Sequence, residues 1–282
     1  MGTEANCHIH MVLDGVDWKQ AIARHREQPD CKVIRQALGA YQALGCRYLR
    51  DGGDRWGVGA MARGLAPEYG ITYRTPLAPL CRKGCYGGFL GRTYEDLGEY
   101  RALVRQTKDS GGDFIKIMIS GIMDFDRFGV LMRQAPPVET VAELVEIAHQ
   151  EGMAVMAHGN GADCVRQAAL AGVESIEHGA YLDQEALQAM ADHRVVWVPT
   201  LSTIGNLRGT GRFREEAVAK ILRSAMENVR RYHAMGGLIA SGDDAGAWAV
   251  PHGCDTEDAL LLQAGLTESD IRTGNQEIIS RF

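Results

Sequence analysis

Val155-Met156-Ala157-His158-Gly159 and Ser175-Ile176-Glu177-His178-Gly179 are two short runs of the same design. Each is apolar and strand-like, each ends in histidine, and a glycine follows at once. Read outward from this pair, the chain alternates such runs with longer stretches of helical spacing. Strands are predicted over residues 6–10, 46–50, 71–80, 114–119, 153–157, 174–177, 195–199 and 238–240. Between them, Val138, Val141, Leu144, Val145 and Ala148 line one helical face, with Gly152 at the stop. Val218, Ile221, Leu222, Ala225, Val229 and Tyr232 line another, closed by Gly236-Gly237. Strands alternating with helices predict a parallel sheet covered by helices, and 282 residues suit one closed (β/α)8 TIM barrel. A doubly wound open sheet is the runner-up, but no GxGxxG or GxxxxGK[ST] marks a nucleotide-binding turn. No repeat, low-complexity tract or linker divides the chain, so residues 1–282 are read as a single domain.

Composition narrows the function classes. A hydrophobic fraction of 45% and a charged fraction of 23% are those of an ordinary soluble domain. The net charge of -6, with no basic run, argues against a nucleic-acid partner. No stretch reaches the roughly 18 apolar residues of a membrane span. The opening MGTEANCHIH lacks the basic segment and apolar core of a signal peptide. Seven scattered cysteines without a CxxC pair read as reduced thiols in the cytoplasm. Self-association is left open.

Chemistry-bearing residues cluster at the predicted strand ends. In Cys7-His8-Ile9-His10, side chains two apart share a side, so His8 and His10 converge while Cys7 and Ile9 face the helices. Two imidazoles held so form half of a zinc-type site. Lys116 lies inside the apolar strand 114–119, where an unpaired ammonium is strongly disfavoured. It has three readings: an ion pair with an inward carboxylate, a strand end placed a few residues off, or a lysine that becomes a carbamate bridging two metals. His158 and His178 each end a strand, as metal ligands or as hydrogen-bonded core histidines. In Gly242-Asp243-Asp244, two acids end the last strand, as a capping pair or as a source of one ligand and proton acceptor. All strand ends of a barrel face one mouth, which is where these groups would meet.

The series HxH, strand-four lysine, strand-five and strand-six histidines and strand-eight aspartate resembles the amidohydrolase superfamily. Local text (FIKIMISG, AVMAHGNG, AALAGVESIEHGAYLD, WVPTL, IASGDDAG) is similar to its Xaa-Pro dipeptidase and imidazolonepropionase-like branch. The resemblance implies two divalent ions, zinc by preference, with His8 and His10 on one and His158 and His178 on the other. Lys116, carboxylated, would bridge them, and Asp244 would be both ligand and catalytic base. It implies hydrolysis of a C–N amide bond in a small-molecule substrate, linear or cyclic, by a metal-bridged hydroxide. Ester or lactone cleavage, a mononuclear deaminase or lyase, and an inactive metal-binding relative or partner-dependent subunit are the alternatives.

The chain departs from the branch in three places. The small β-sandwich of most relatives is expected to be absent or trimmed from this sequence, the tail after Leu266 lacks the usual last-helix sequence, and Ile122-Met123-Asp124 replaces a glycine-valine run. Asp243 stands where threonine is usual. Substrate-binding residues are unassigned; Arg82, Lys83, Tyr86, Tyr181 and His252 are the positions to inspect. The glycine-rich segment 82–91 is expected to be a mobile loop.

Overall fold

The computed structural model describes residues 4–282. Strand β1 (Ala5–Ile9) is followed by helices α1 (Trp18–Arg24) and α2 (Cys31–Ala43), then β2 (Tyr48–Asp51), α3 (Val58–Leu65) and β3 (Thr72–Arg74). Two short strands, β4 (Leu80–Arg82) and β5 (Arg92–Tyr94), precede α4 (Leu97–Asp109) and β6 (Ile115–Met118). A hairpin of β7 (Ile122–Met123) and β8 (Leu131–Met132) leads to α5 (Val141–Gln150), β9 (Val155–Gly159), α6 (Ala162–Leu170) and β10 (Ser175–His178). Then come α7 (Gln184–Asp192), β11 (Val196–Val198), α8 (Ser202–Gly205), α9 (Glu215–Ala234) and β12 (Leu238–Ile239). Helices α10 (Thr256–Gln263) and α11 (Glu268–Arg281) finish the chain.

Local chemistry accounts for many of these boundaries. Asp17, Asp30, Asp96 and Asp183 cap α1, α2, α4 and α7 by accepting hydrogen bonds from first-turn amides. Val218, Ile221, Leu222, Val229 and Tyr232 of α9 are buried, as the stripe predicted. Gly152 after α5 and Gly236 after α9 take the left-handed backbone that ends a helix.

The fold is mixed α/β with parallel sheet. Seven strands run in the order β12-β11-β10-β9-β6-β4-β5 and three in the order β1-β2-β3, every neighbouring pair parallel. Backbone bonds tie both edges of the three-stranded set to the larger one, β1 to the turn after β12 and the end of β3 to the segment before β6. Cys7 N donates to Ser241 O at 2.8 Å, Asp244 N to His8 O at 2.8 Å, and Asp113 N to Thr75 O at 2.9 Å. Register aligns Met118, His158 and Glu177 across β6, β9 and β10.

One expectation needs correction. The single strand over 71–80 is two, β3 and β4, in different sheets. Pro76 has no N–H for a ladder, and Leu77 (φ 63°) turns the chain away. The segment after β4 is folded into turns: Leu90 N and Gly91 N both donate to Gly87 O, and Tyr86 N donates to Gln134 O. The tail after Leu266, despite its unfamiliar sequence, forms α11, begun by a Thr267/Asp270 capping box.

Helix α11 presses closely on β12. A Cβ at Gly274 would fall 1.9 Å from Ile239 O, and Asn275 Oδ1 accepts Ser241 N at 2.8 Å. Helix propensity alone would make Gly274→Ala stabilising by about 1 kcal/mol. The contact with rigid backbone reverses the sign, so Gly274→Ala is expected to destabilise by about 1–3 kcal/mol in urea unfolding. Unchanged or raised stability would contradict this packing.

Candidate metal centre

The strand ends converge as the period of two requires. His8 and His10 point to one side of β1. Cys7 faces α11, its thiol donating to Asn275 Oδ1 at 3.6 Å, and Ile9 packs in the cluster of Ile34 and Leu38 from α2. Beyond β12 the chain turns at Asp244, a non-glycine residue with φ 58°. That turn sets Asp244 Oδ1 3.5 Å from His8 Nε2 and 3.4 Å from His10 Nε2. Among the described residues, His8, His10 and Asp244 form the group whose candidate ligand atoms lie within 4.8 Å of one another. His178 stands beside them, its ring centroid 5.2 Å from that of His8 and 4.6 Å from that of His158.

Two of the four imidazoles, His158 and His178, have one nitrogen hydrogen-bonded, and a third, His8, has one nitrogen in close contact with a carboxylate. His158 Nε2 is 3.0 Å from Gly121 O, and a carbonyl can only accept, so this nitrogen carries the proton and Nδ1 keeps its lone pair. His178 Nδ1 meets Thr200 Oγ1 at 2.7 Å. His8 Nδ1 lies 2.7 Å from Glu177 Oε2. Burial, reinforced by Lys116, pulls His10 and His158 down to about 3. Burial pulls His8 and His178 well below the usual histidine range as well. Neutral imidazoles with one nitrogen held and one bare are what metal ligation asks of histidine.

Lys116 is 1% exposed, and its Nζ has no hydrogen-bond partner among the described residues. Burial pulls this amine below the usual lysine range, and the same burial pushes the Asp244 carboxyl upward. Asp244 Oδ1 is likewise buried and without a hydrogen bond. An orphaned amine and an orphaned carboxylate oxygen among four neutral imidazoles form a donor set that fits divalent cations.

The two adjacent acids part company. Asp243 accepts from Asn6 Nδ2 at 2.7 Å and Ala245 N at 2.9 Å, pinning the start of β1 to the turn after β12. Of the positions singled out in the loops, Tyr86 reaches the imidazoles, its ring centroid 4.9 Å from that of His158. From Tyr86, ring contacts run outward to Phe89 at 5.9 Å and on to Trp18 at 5.2 Å, lining one wall. Lys83 is exposed and paired with Glu95, and His252 is tied to Tyr41 and Leu13 O. Tyr181 packs edge-on against Phe128 at 5.3 Å. Sequence reasoning overlooked Arg50 and Glu177. Both are fully buried charged residues within strands, as Lys116 is, and a charge inside a predicted strand was the signal that could have found them.

No family model matches the chain. It is similar to ochratoxinase of Aspergillus niger, 26% identical over 237 residues, 71% of this chain and 47% of that protein. It thus spans about half the length of that curated relative. An uncharacterized protein of Mycobacterium bovis is 28% identical over 268 residues, 92% of this chain and 67% of the other. Among solved structures, a Xaa-Pro dipeptidase with bound methionine superposes with a TM-score of 0.76 at 21% identity, covering 99% of this chain and 75% of that one. The resemblance read from the motifs therefore has its counterpart in three dimensions: the structural neighbours of this chain are amidohydrolase-family proteins.

Proposed function

We propose that residues 1–282 form one closed (β/α)8 barrel and that the protein is a metal-dependent hydrolase cleaving a C–N amide bond, linear or cyclic, in a small molecule. The observation that carries this reading is the orphaned Lys116 Nζ, buried beside the imidazoles and the free oxygen of Asp244. An amine with no partner is strongly disfavoured unless something absent from the protein chain completes it. The named activities of the similar proteins, a Xaa-Pro dipeptidase and an ochratoxinase, support an amide as the bond. The backbone bonds from both edges of the three-stranded set to the larger one support closure.

In this reading His8, His10 and Asp244 would hold one divalent ion, zinc by the chemistry of the donors, and His158 and His178 the other. Lys116, as its carbamate, would lie between them. Bound ions would supply Lewis acidity toward an amide carbonyl and lower the pKa of water at the site. The chain's own residues supply the rest. The Asp244 carboxylate, through the oxygen not engaged with the ion, would take a proton from the attacking water and pass it to the leaving amine. Burial keeps the imidazoles neutral, and the Tyr86 ring walls the site beside His158. The seven free thiols fit the cytoplasm, which we propose as the location. Among the described residues no helix is long and apolar enough to cross a membrane.

Protein purified without chelator is expected to carry two ions per chain by elemental analysis, falling to one or none in Lys116→Ala; one ion or fewer in both proteins would contradict the bridged pair. Carbon-13 NMR after equilibration with labelled bicarbonate should show a carbamate signal that Lys116→Ala abolishes. With a substrate the wild type hydrolyses, Asp244→Asn should lower kcat at least about 100-fold. Intact turnover would remove Asp244 from its proton-transfer role.

A further inference from the structure

Glu177 stands between two very different neighbours. Its Oε1 accepts from Arg50 Nη2 at 2.9 Å and from Ser175 Oγ at 2.6 Å. Arg50 also donates through Nη1 to Ser175 Oγ at 2.9 Å and through Nε to Cys7 O at 2.7 Å. All of Oε1's capacity is thus directed at Arg50 and Ser175, and Oε2 is left 2.7 Å from His8 Nδ1. Both side chains of the Glu177–His8 contact are fully buried, so water does not compete for either atom.

We propose that Glu177, oriented by Arg50 and Ser175, is a positioning residue that keeps the proton of His8 on Nδ1. The two atoms approach to 2.7 Å without the alignment of a hydrogen bond. A bare Nδ1 at that distance would set its lone pair against a carboxylate oxygen that can only accept, so the proton belongs on the nitrogen facing Oε2. Nε2 is then the bare nitrogen, and it is the one turned toward Asp244 Oδ1. The role differs from that of Gly121 toward His158 or Thr200 toward His178, because the orienting group is itself fixed by a guanidinium in a neighbouring strand. The inference rests on the proposed metal reading for its purpose, while the tautomer itself is a property of the metal-free protein.

The arrangement makes an unusually sharp test of Glu177→Gln. Arg50 Nη2 and Ser175 Oγ both donate to the Oε1 position, so the amide oxygen of glutamine must occupy it. The amide nitrogen then takes the place of Oε2 and donates to His8 Nδ1. The His8 proton moves to Nε2, where it obstructs ligation, although shape and volume hardly change.

Long-range proton–nitrogen correlation NMR of the metal-free protein reads this directly, with the His8 signals identified by their loss in His8→Gln. The wild type is expected to show His8 protonated on Nδ1 and Glu177→Gln to show it protonated on Nε2. Zinc affinity, measured by competition with a chromophoric chelator, should fall tenfold or more in Glu177→Gln. A wild-type His8 protonated on Nε2, or the same tautomer in both proteins, would overturn the inference; the wild-type spectrum alone decides this if the variant does not fold. Wild-type protein that binds no zinc would instead defeat the metal reading and the affinity expectation, with the tautomer still judged by the spectra.

Discussion

Charge buried inside a parallel sheet has to find partners within the protein, because a lone ion there is disfavoured by several kcal/mol. The Arg50 side chain is 0% exposed and meets that demand by reaching across the interior. From β2 it binds Cys7 O on β1 and both Ser175 and Glu177 on β10, joining strands of the two separate ladders. Phe282 covers the guanidinium at 4.4 Å and packs edge-on against Phe114 at 5.1 Å. Glu177, held by this pairing, meets His8 on its other side. One buried ion pair therefore fixes both how the sheets face each other and where the first imidazole sits.

Lys116 obeys the same rule by apparent violation. It is buried as deeply as Arg50 yet has no hydrogen bond, and the free oxygen of Asp244 is in the same condition. Other buried carboxylates are paired: Asp54 accepts three backbone amides, and Glu257 accepts Leu201 N, Ser202 N and Ser202 Oγ. Around the imidazoles, Lys116 Nζ, Asp244 Oδ1, both ring nitrogens of His8 and His10 Nδ1 lack hydrogen bonds together, and that concentration gives the site its chemical meaning.

Much of this was legible in the sequence, for reasons that are local. His8 and His10 lie two apart on a strand, and that period alone brings them together. The His-Gly pairs close their strands, and at the second of them the chain turns. Gly179 takes φ 64°, and a Cβ on it would fall 2.6 Å from Trp197 Nε1. What was not legible depends on partners far away in the chain. The run 71–80 looked like one strand because its apolar pattern says nothing of sheet membership. Asp243 and Asp244 could not be told apart by type; a left-handed turn at Asp244 sends one to the imidazoles and the other to Asn6. Arg50 and Glu177 explain each other only once β2 and β10 are seen to share an interior.

The central claim is that the unsatisfied groups at the strand ends are completed by metal. Anomalous diffraction at the zinc edge, from crystals grown with zinc, tests it at the level of individual residues. The account predicts two peaks, one among His8, His10 and Asp244 and one at His158 and His178, with continuous density from Lys116 between them. An absence of peaks there, with Lys116 ending in a free amine, would contradict it.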